Sequence, residues 1–88
     1  MKFVTLCKWR KKPTKQMVDE TNRLRDEATK EGLKVLSVDW TLGRYDMVVI
    51  TECADEKIAM KALLEFGDLF STETLVAVSG KEAVQLIK

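Results

Sequence analysis

Four consecutive residues in the middle of the chain, Gly43-Arg44-Tyr45-Asp46, carry its densest chemistry. Arg44 offers a planar fork that can grip a carboxylate or phosphate, and Tyr45 and Asp46 could orient what it holds. The same glycine also suits a tight turn. In that case Tyr45 packs, and Arg44 and Asp46 tie the hairpin to a neighbour. Trp9 and Trp40, with Cys7, Tyr45 and Met47, form a second set. Such groups line small-molecule pockets, and they equally fill dry subunit interfaces. Glu73, Lys8 and Glu52 form a third. Two adjacent carboxylates can raise one pKa far enough for acid–base work. Lys8 opposite Glu73 would instead be an ordinary cross-strand ion pair.

Lys8, Arg10, Lys11, Lys12 and Lys15 make a basic cluster. It could touch nucleic acid or a phosphorylated ligand, or be a solvated loop and helix start. The whole chain has 15 basic and 14 acidic residues, a net charge of +1. That balance provides no broad steering field and argues against general nucleic-acid binding. Cys7 and Cys53 are too few for a disulfide framework and lack metal-site spacing. Cys7 reads as a small buried apolar residue. The chain has no histidine, which removes the commonest general base, metal ligand and haem ligand. The sequence implies no metal and no cofactor.

Eighty-eight residues, 45% of them hydrophobic, suggest a single globular domain over residues 1–88 with a modest core. No stretch reaches the 18 or so apolar residues of a membrane span, and the apolar N-terminus is too short for a signal-peptide core. The expected location is the cytoplasm, with reduced thiols.

The elements that must position these residues follow from periodicity. Phe3 to Trp9 alternates as a strand. Thr14 can cap a helix whose stripe is Met17, Thr21, Leu24 and Ala28, stopping at Gly32. Leu33 to Thr41 and Tyr45 to Glu52 read as strands joined by a two-residue turn at Gly43-Arg44. Asp55 can cap a second helix ending at Gly67. Ser71 to Val78 is a fourth strand. Ser79 and Glu82 have the spacing of a capping box for a short last helix. The order is the split βαβ of an α+β, ferredoxin-like βαββαβ fold with a four-stranded antiparallel sheet.

Sorting the strands by face predicts one aliphatic side, Val4, Leu6, Val48, Ile50, Leu75 and Ala77, lying under the helices. The pairing expected is Lys8 with Glu73, Leu6 with Leu75 and Val4 with Ala77, so that Lys8, Glu52 and Glu73 share a rim. The other face then carries Phe3, Cys7, Trp9, Trp40, Tyr45 and Met47, with Thr72 and Thr74. An open antiparallel sheet face should alternate toward polar residues. This one does not, and it exceeds the apolar patch that monomers usually expose. A second copy across a two-fold axis is the expected cover.

Thr41-Leu42-Gly43-Arg44-Tyr45-Asp46 and the following Met47-Val48-Val49-Ile50 resemble the signature of the GYD domain family. Lys8-Trp9 and Thr72-Glu73-Thr74-Leu75 agree with it, and the likeness covers nearly the whole chain. The resemblance implies a ferredoxin-like fold whose sheets pack into a dimeric α+β barrel. It implies no activity, substrate or catalytic residue. The basic Arg10-Lys11-Lys12 loop and Asp39 depart from the family's usual look.

The function expected is a homo-oligomeric module that binds or senses a small apolar or aromatic molecule in a cavity between sheets. Its ligand candidates are Arg44, Tyr45, Asp46, Trp9, Trp40 and Glu73, together with Thr72 and Thr74. The alternatives are a cofactor-independent enzyme of monooxygenase or isomerase type, by fold analogy, and a purely structural oligomerisation domain with a filled interface.

Overall fold

The computed structural model describes residues 1–87. Its elements are β1 (Lys2–Trp9), α1 (Lys15–Lys30), β2 (Lys34–Trp40), β3 (Met47–Glu52), α2 (Glu56–Phe66), β4 (Phe70–Ala77) and α3 (Gly80–Val84). The four strands form one antiparallel sheet in the order β2-β3-β1-β4. This is the βαββαβ, ferredoxin-like arrangement with a short C-terminal helix.

The helix starts lie where local chemistry puts them. The Thr14 hydroxyl accepts the Met17 N–H at 3.2 Å, and the Asp55 carboxylate accepts the Lys57 N–H at 2.8 Å. The Ser79 hydroxyl accepts the Glu82 N–H at 3.2 Å. Each satisfies a donor that the first helical turn leaves without an intrahelical partner. Gly43 turns the β2–β3 connection at φ +102°, a region that side chains with a Cβ avoid. The connection is longer than the expected two-residue turn. Strand pairing ends at Trp40 and Met47, and the Thr41 N–H closes the loop by donating to the Asp46 carbonyl at 2.9 Å.

The helices cover the face opposite to the one expected. Phe3, Cys7, Trp9 and Met47 are buried, and Met17, Val18 and Phe66 pack against them from α1 and α2. Ala59 and Ala62 bring α2 close to the sheet, and Leu24 and Ala28 do the same for α1. The aliphatic face of Val4, Leu6, Val48, Ile50 and Leu75 is the one left without helices. Its residues are only part-buried, and Leu75 is 47% exposed.

Both phases of β1 are apolar at their centre, but the one with Val4 and Leu6 also carries Lys2 and Lys8, and Asp39, Glu52 and Glu73 fall on that same face. The phase with Phe3 and Trp9 offers more area to bury and takes the helix side. The β1–β4 register also differs by two residues from the expected one. Leu6 lies opposite Glu73, Val4 opposite Leu75, and Lys8 opposite Ser71. A slip of two leaves the faces unchanged. The expected rim does not form: the slip parts Lys8 from Glu73, and the β1–β3 and β2–β3 registers put Glu52 opposite Lys2 and Lys34 at the far end of the sheet.

Candidate functional site

β1 and β2 both run antiparallel to β3, so they run parallel to each other and their last residues, Trp9 and Trp40, end at the same edge of the sheet. Both belong to the helix-covered phase, and their ring centroids are 5.6 Å apart. Phe70 packs on the other side of Trp9 at 4.2 Å, and Phe66 reaches Phe70 at 6.2 Å. The aromatic row thus crosses from the edge strand β2 to α2.

Beneath the helices lies a cavity of about 110 Å³. Cys7, Trp9, Met47 and Val49 form part of its floor, Ala62 and Phe66 part of its α2 wall, and Val18, Thr21 and Arg25 part of its α1 wall. Trp40, which is 57% exposed, borders it at the edge strand. Thr72 also lines it. The pocket expected between two sheets is therefore, in this chain, a cavity between the helices and the sheet.

One polar atom stands out there. Trp9 is 8% exposed, and its indole Nε1–H has no hydrogen-bond partner among the described residues. Buried polar atoms are normally paired. The buried Thr5 does better: its hydroxyl lies 3.1 Å from that of Thr74. The Thr21 hydroxyl donates to the Met17 carbonyl at 2.9 Å.

A second, wider cleft of about 420 Å³ adjoins the first and shares Trp9 and Trp40 with it. Its remaining walls are the Arg10–Pro13 loop on one side and Thr41 and Asp46 on the other. The Arg10 Nε–H donates to the Gly67 carbonyl at 2.6 Å, which pins the loop to the end of α2.

The hairpin residues do not line the cavity. The Asp46 carboxylate accepts the Trp9 backbone N–H at 2.8 Å. The Tyr45 hydroxyl donates to Glu73 Oε2 at 2.5 Å. Glu73 pairs with Leu6, on the open face, so the Tyr45 hydroxyl reaches that face. The Arg44 guanidinium sits over the Tyr45 ring, 5.4 Å from its centroid. Arg44, Tyr45 and Glu73 therefore form a group of their own at one end of the aliphatic face. Lys8 lies on the same face without an ion pair to Glu73 among the described residues.

Neither Cys7 nor Tyr45 is activated as a nucleophile. Burial pushes the Cys7 thiol up to about 11, and the hydrogen bond to Glu73 raises the Tyr45 hydroxyl above its ordinary value. Both groups hold their protons at neutral pH. Sequence reasoning missed Phe70, Val18 and Arg25. Val18, Thr21 and Arg25 recur at helical spacing, and a threonine inside an otherwise apolar stripe was the one hint of a cavity wall.

Among solved structures, the chain is similar to PH0061, with 18% identity and a TM-score of 0.63. The match covers 90% of this chain and 52% of that one, so the chain spans about half the length of that protein. It is also similar to a dimeric ferredoxin-like protein of unknown function from Thermobifida fusca. That match has 15% identity and a TM-score of 0.57, and covers 88% of this chain and 89% of the other. At these identities the likeness concerns the fold. No curated protein matches the sequence. The GYD domain model matches residues 3–87, and the hairpin that carries the motif is the segment whose Asp46 braces β1 and whose Tyr45 reaches Glu73: the chain belongs to the GYD domain family.

Proposed function

We propose that the protein is a homodimeric binding module. Two copies meet through the aliphatic sheet face, and each keeps a small-molecule site between its helices and its sheet. The observation that carries the ligand site is the cavity of about 110 Å³ itself, walled mainly by apolar side chains from the sheet and both helices. An apolar cavity of roughly 150 Å³ takes benzene. A volume of about 110 Å³ therefore suits a short branched chain or a single small ring with slight adjustment of the walls.

The dimer is supported by Val4, Leu6, Val48, Ile50 and Leu75, which no helix covers. These side chains form an apolar centre flanked by Lys8, Asp39, Glu52 and Glu73, the layout of an interface core with a polar rim. The Thermobifida fusca neighbour, described as dimeric, has the same fold. Packing two such faces gives the back-to-back α+β barrel.

Binding fits the site better than catalysis, because the Cys7 thiol and Tyr45 hydroxyl are held protonated. A purely structural role has no use for an unfilled cavity beside a buried, unpaired donor. The test is a titration with benzyl alcohol, followed by the indole N–H resonances of the two tryptophans. The Trp9 resonance moves, and filling the cavity with Ala62→Leu abolishes the movement. A Trp9 resonance that stays put up to about 10 mM, the affinity range of a weak fragment, contradicts the reading.

A further inference from the structure

We infer that the ligand is a small organic acid, with its apolar body in the cavity under the helices and its carboxylate in the adjoining cleft beside Lys11 and Lys12. The inference rests on the cavity being a ligand site and adds the chemical class of what fills it.

The two spaces adjoin, and Trp9 and Trp40 line both. The inner one is lined mainly by apolar side chains, and away from Arg25 on its α1 wall an ionised group placed there would lose its hydration without compensation. The outer one is built differently. Lys11 and Lys12 are exposed on its loop wall, and among the described residues neither has a carboxylate within ion-pair distance. Arg10, the third cation of the loop, is held by the Gly67 carbonyl. Asp46 is the one acid that lines the cleft, and its carboxylate is engaged by the Trp9 backbone N–H. Trp40 offers an exposed ring at the junction.

An apolar cavity separated by two indoles, one of them exposed, from a cleft with paired lysines fits an amphipathic monoanion whose binding shifts the Trp40 ring. The inner volume limits its body to one ring or a short branched chain. The basic loop, which in sequence reads as a solvated start to α1, thereby acquires a specific role. Electrostatic attraction at an exposed site of this kind weakens with salt.

The experiment compares acids with their uncharged counterparts. Tryptophan fluorescence is titrated with 3-phenylpropionate and 4-methylpentanoate, and separately with 3-phenylpropanol and 4-methylpentanol. The acids are expected to bind at least about tenfold more tightly than the alcohols. The double variant Lys11→Gln/Lys12→Gln is expected to bring the acids down to the alcohols while leaving alcohol binding unchanged. Equal binding of acids and alcohols overturns the inference and leaves the cavity reading intact. An acid preference that survives in the double variant also overturns it. Absence of any response to either series overturns both.

Discussion

The carboxylate of Asp46 accepts the backbone N–H of Trp9 at 2.8 Å, while the Asp46 N–H donates to the Cys7 carbonyl at 2.8 Å. A residue beyond the end of β3 thus continues the β1 ladder, first with its main chain and then with its side chain. It fixes the last residue of β1, and with it the indole that walls both the cavity and the cleft. A hydrogen bond to an ionised acceptor contributes about 1.5–3 kcal/mol. Asp46→Ala is therefore expected to lower stability by about 2 kcal/mol in urea unfolding. Asp46→Asn, which keeps an acceptor oxygen, should lose roughly half as much. Equal midpoints for Asp46→Ala and the parent protein would remove the brace from the account of the fold.

The Cys7 thiol is raised by burial from 9.0 to about 11. The folded chain holds this proton where the unfolded chain releases it. Its contribution to stability is full below about pH 9 and is lost as the pH rises through about 11. The difference in stability between the parent and Cys7→Ala is expected to be flat from pH 6 to 8 and to shrink between pH 9 and about 11. Alkylation of Cys7 by iodoacetamide at pH 8 should be slow in the native protein and fast in urea, because the thiolate is the reacting form. Rapid native alkylation at this position would contradict the burial.

Tyr45 is the chain's one tyrosine, so its ionisation can be followed by ultraviolet absorbance without assignment. The hydrogen bond to Glu73 holds its midpoint above the ordinary 10.0. Glu73→Gln is expected to move that midpoint back toward the ordinary value, because a neutral amide no longer disfavours the phenolate. A midpoint that does not respond to Glu73→Gln would mean that the pair does not persist in solution.

Much of this fold was legible because its punctuation is local. Thr14, Asp55 and Ser79 cap the helices as their residue types suggest, and Gly43 takes the positive φ that its place in the hairpin demands. The choice of face was not local. In β1, Phe3 and Trp9 alternate with Val4 and Leu6, and the mark of the open face, Lys2 and Lys8 in the latter phase, becomes plain only once Asp39, Glu52 and Glu73 are paired onto the same side. Bulk and long-range packing against Met17, Val18 and Phe66 decide it. The bulge between Val35 and Ser37 adds an irregularity to β2 that strict alternation does not anticipate.

The site was legible in pieces. Trp9 and Trp40 stood out by type and do meet, yet their partners along the cavity come from α1 and α2 rather than from a second sheet. Tyr45 and Glu73 are 28 residues apart and meet because β1, between them, is narrow enough for the tyrosine to span. The basic loop looked ordinary because a net charge of +1 hides a cluster placed beside two indoles.

Moving the aromatic face under the helices changes which residues the proposed dimer uses. Ile50 lies at the centre of the open face, between Val4 on β1 and Ser37 on β2. A lysine there puts like charges against each other across a two-fold axis and desolvates both, an arrangement that interfaces do not tolerate. Sedimentation equilibrium of the parent chain and of Ile50→Lys tests this most directly. The parent is expected at twice its 10.0 kDa mass, and Ile50→Lys at the single mass with its Trp9 fluorescence unchanged. A parent chain that sediments at 10.0 kDa at about 100 µM, well above the dissociation constant of a standard-size interface, would contradict the dimer.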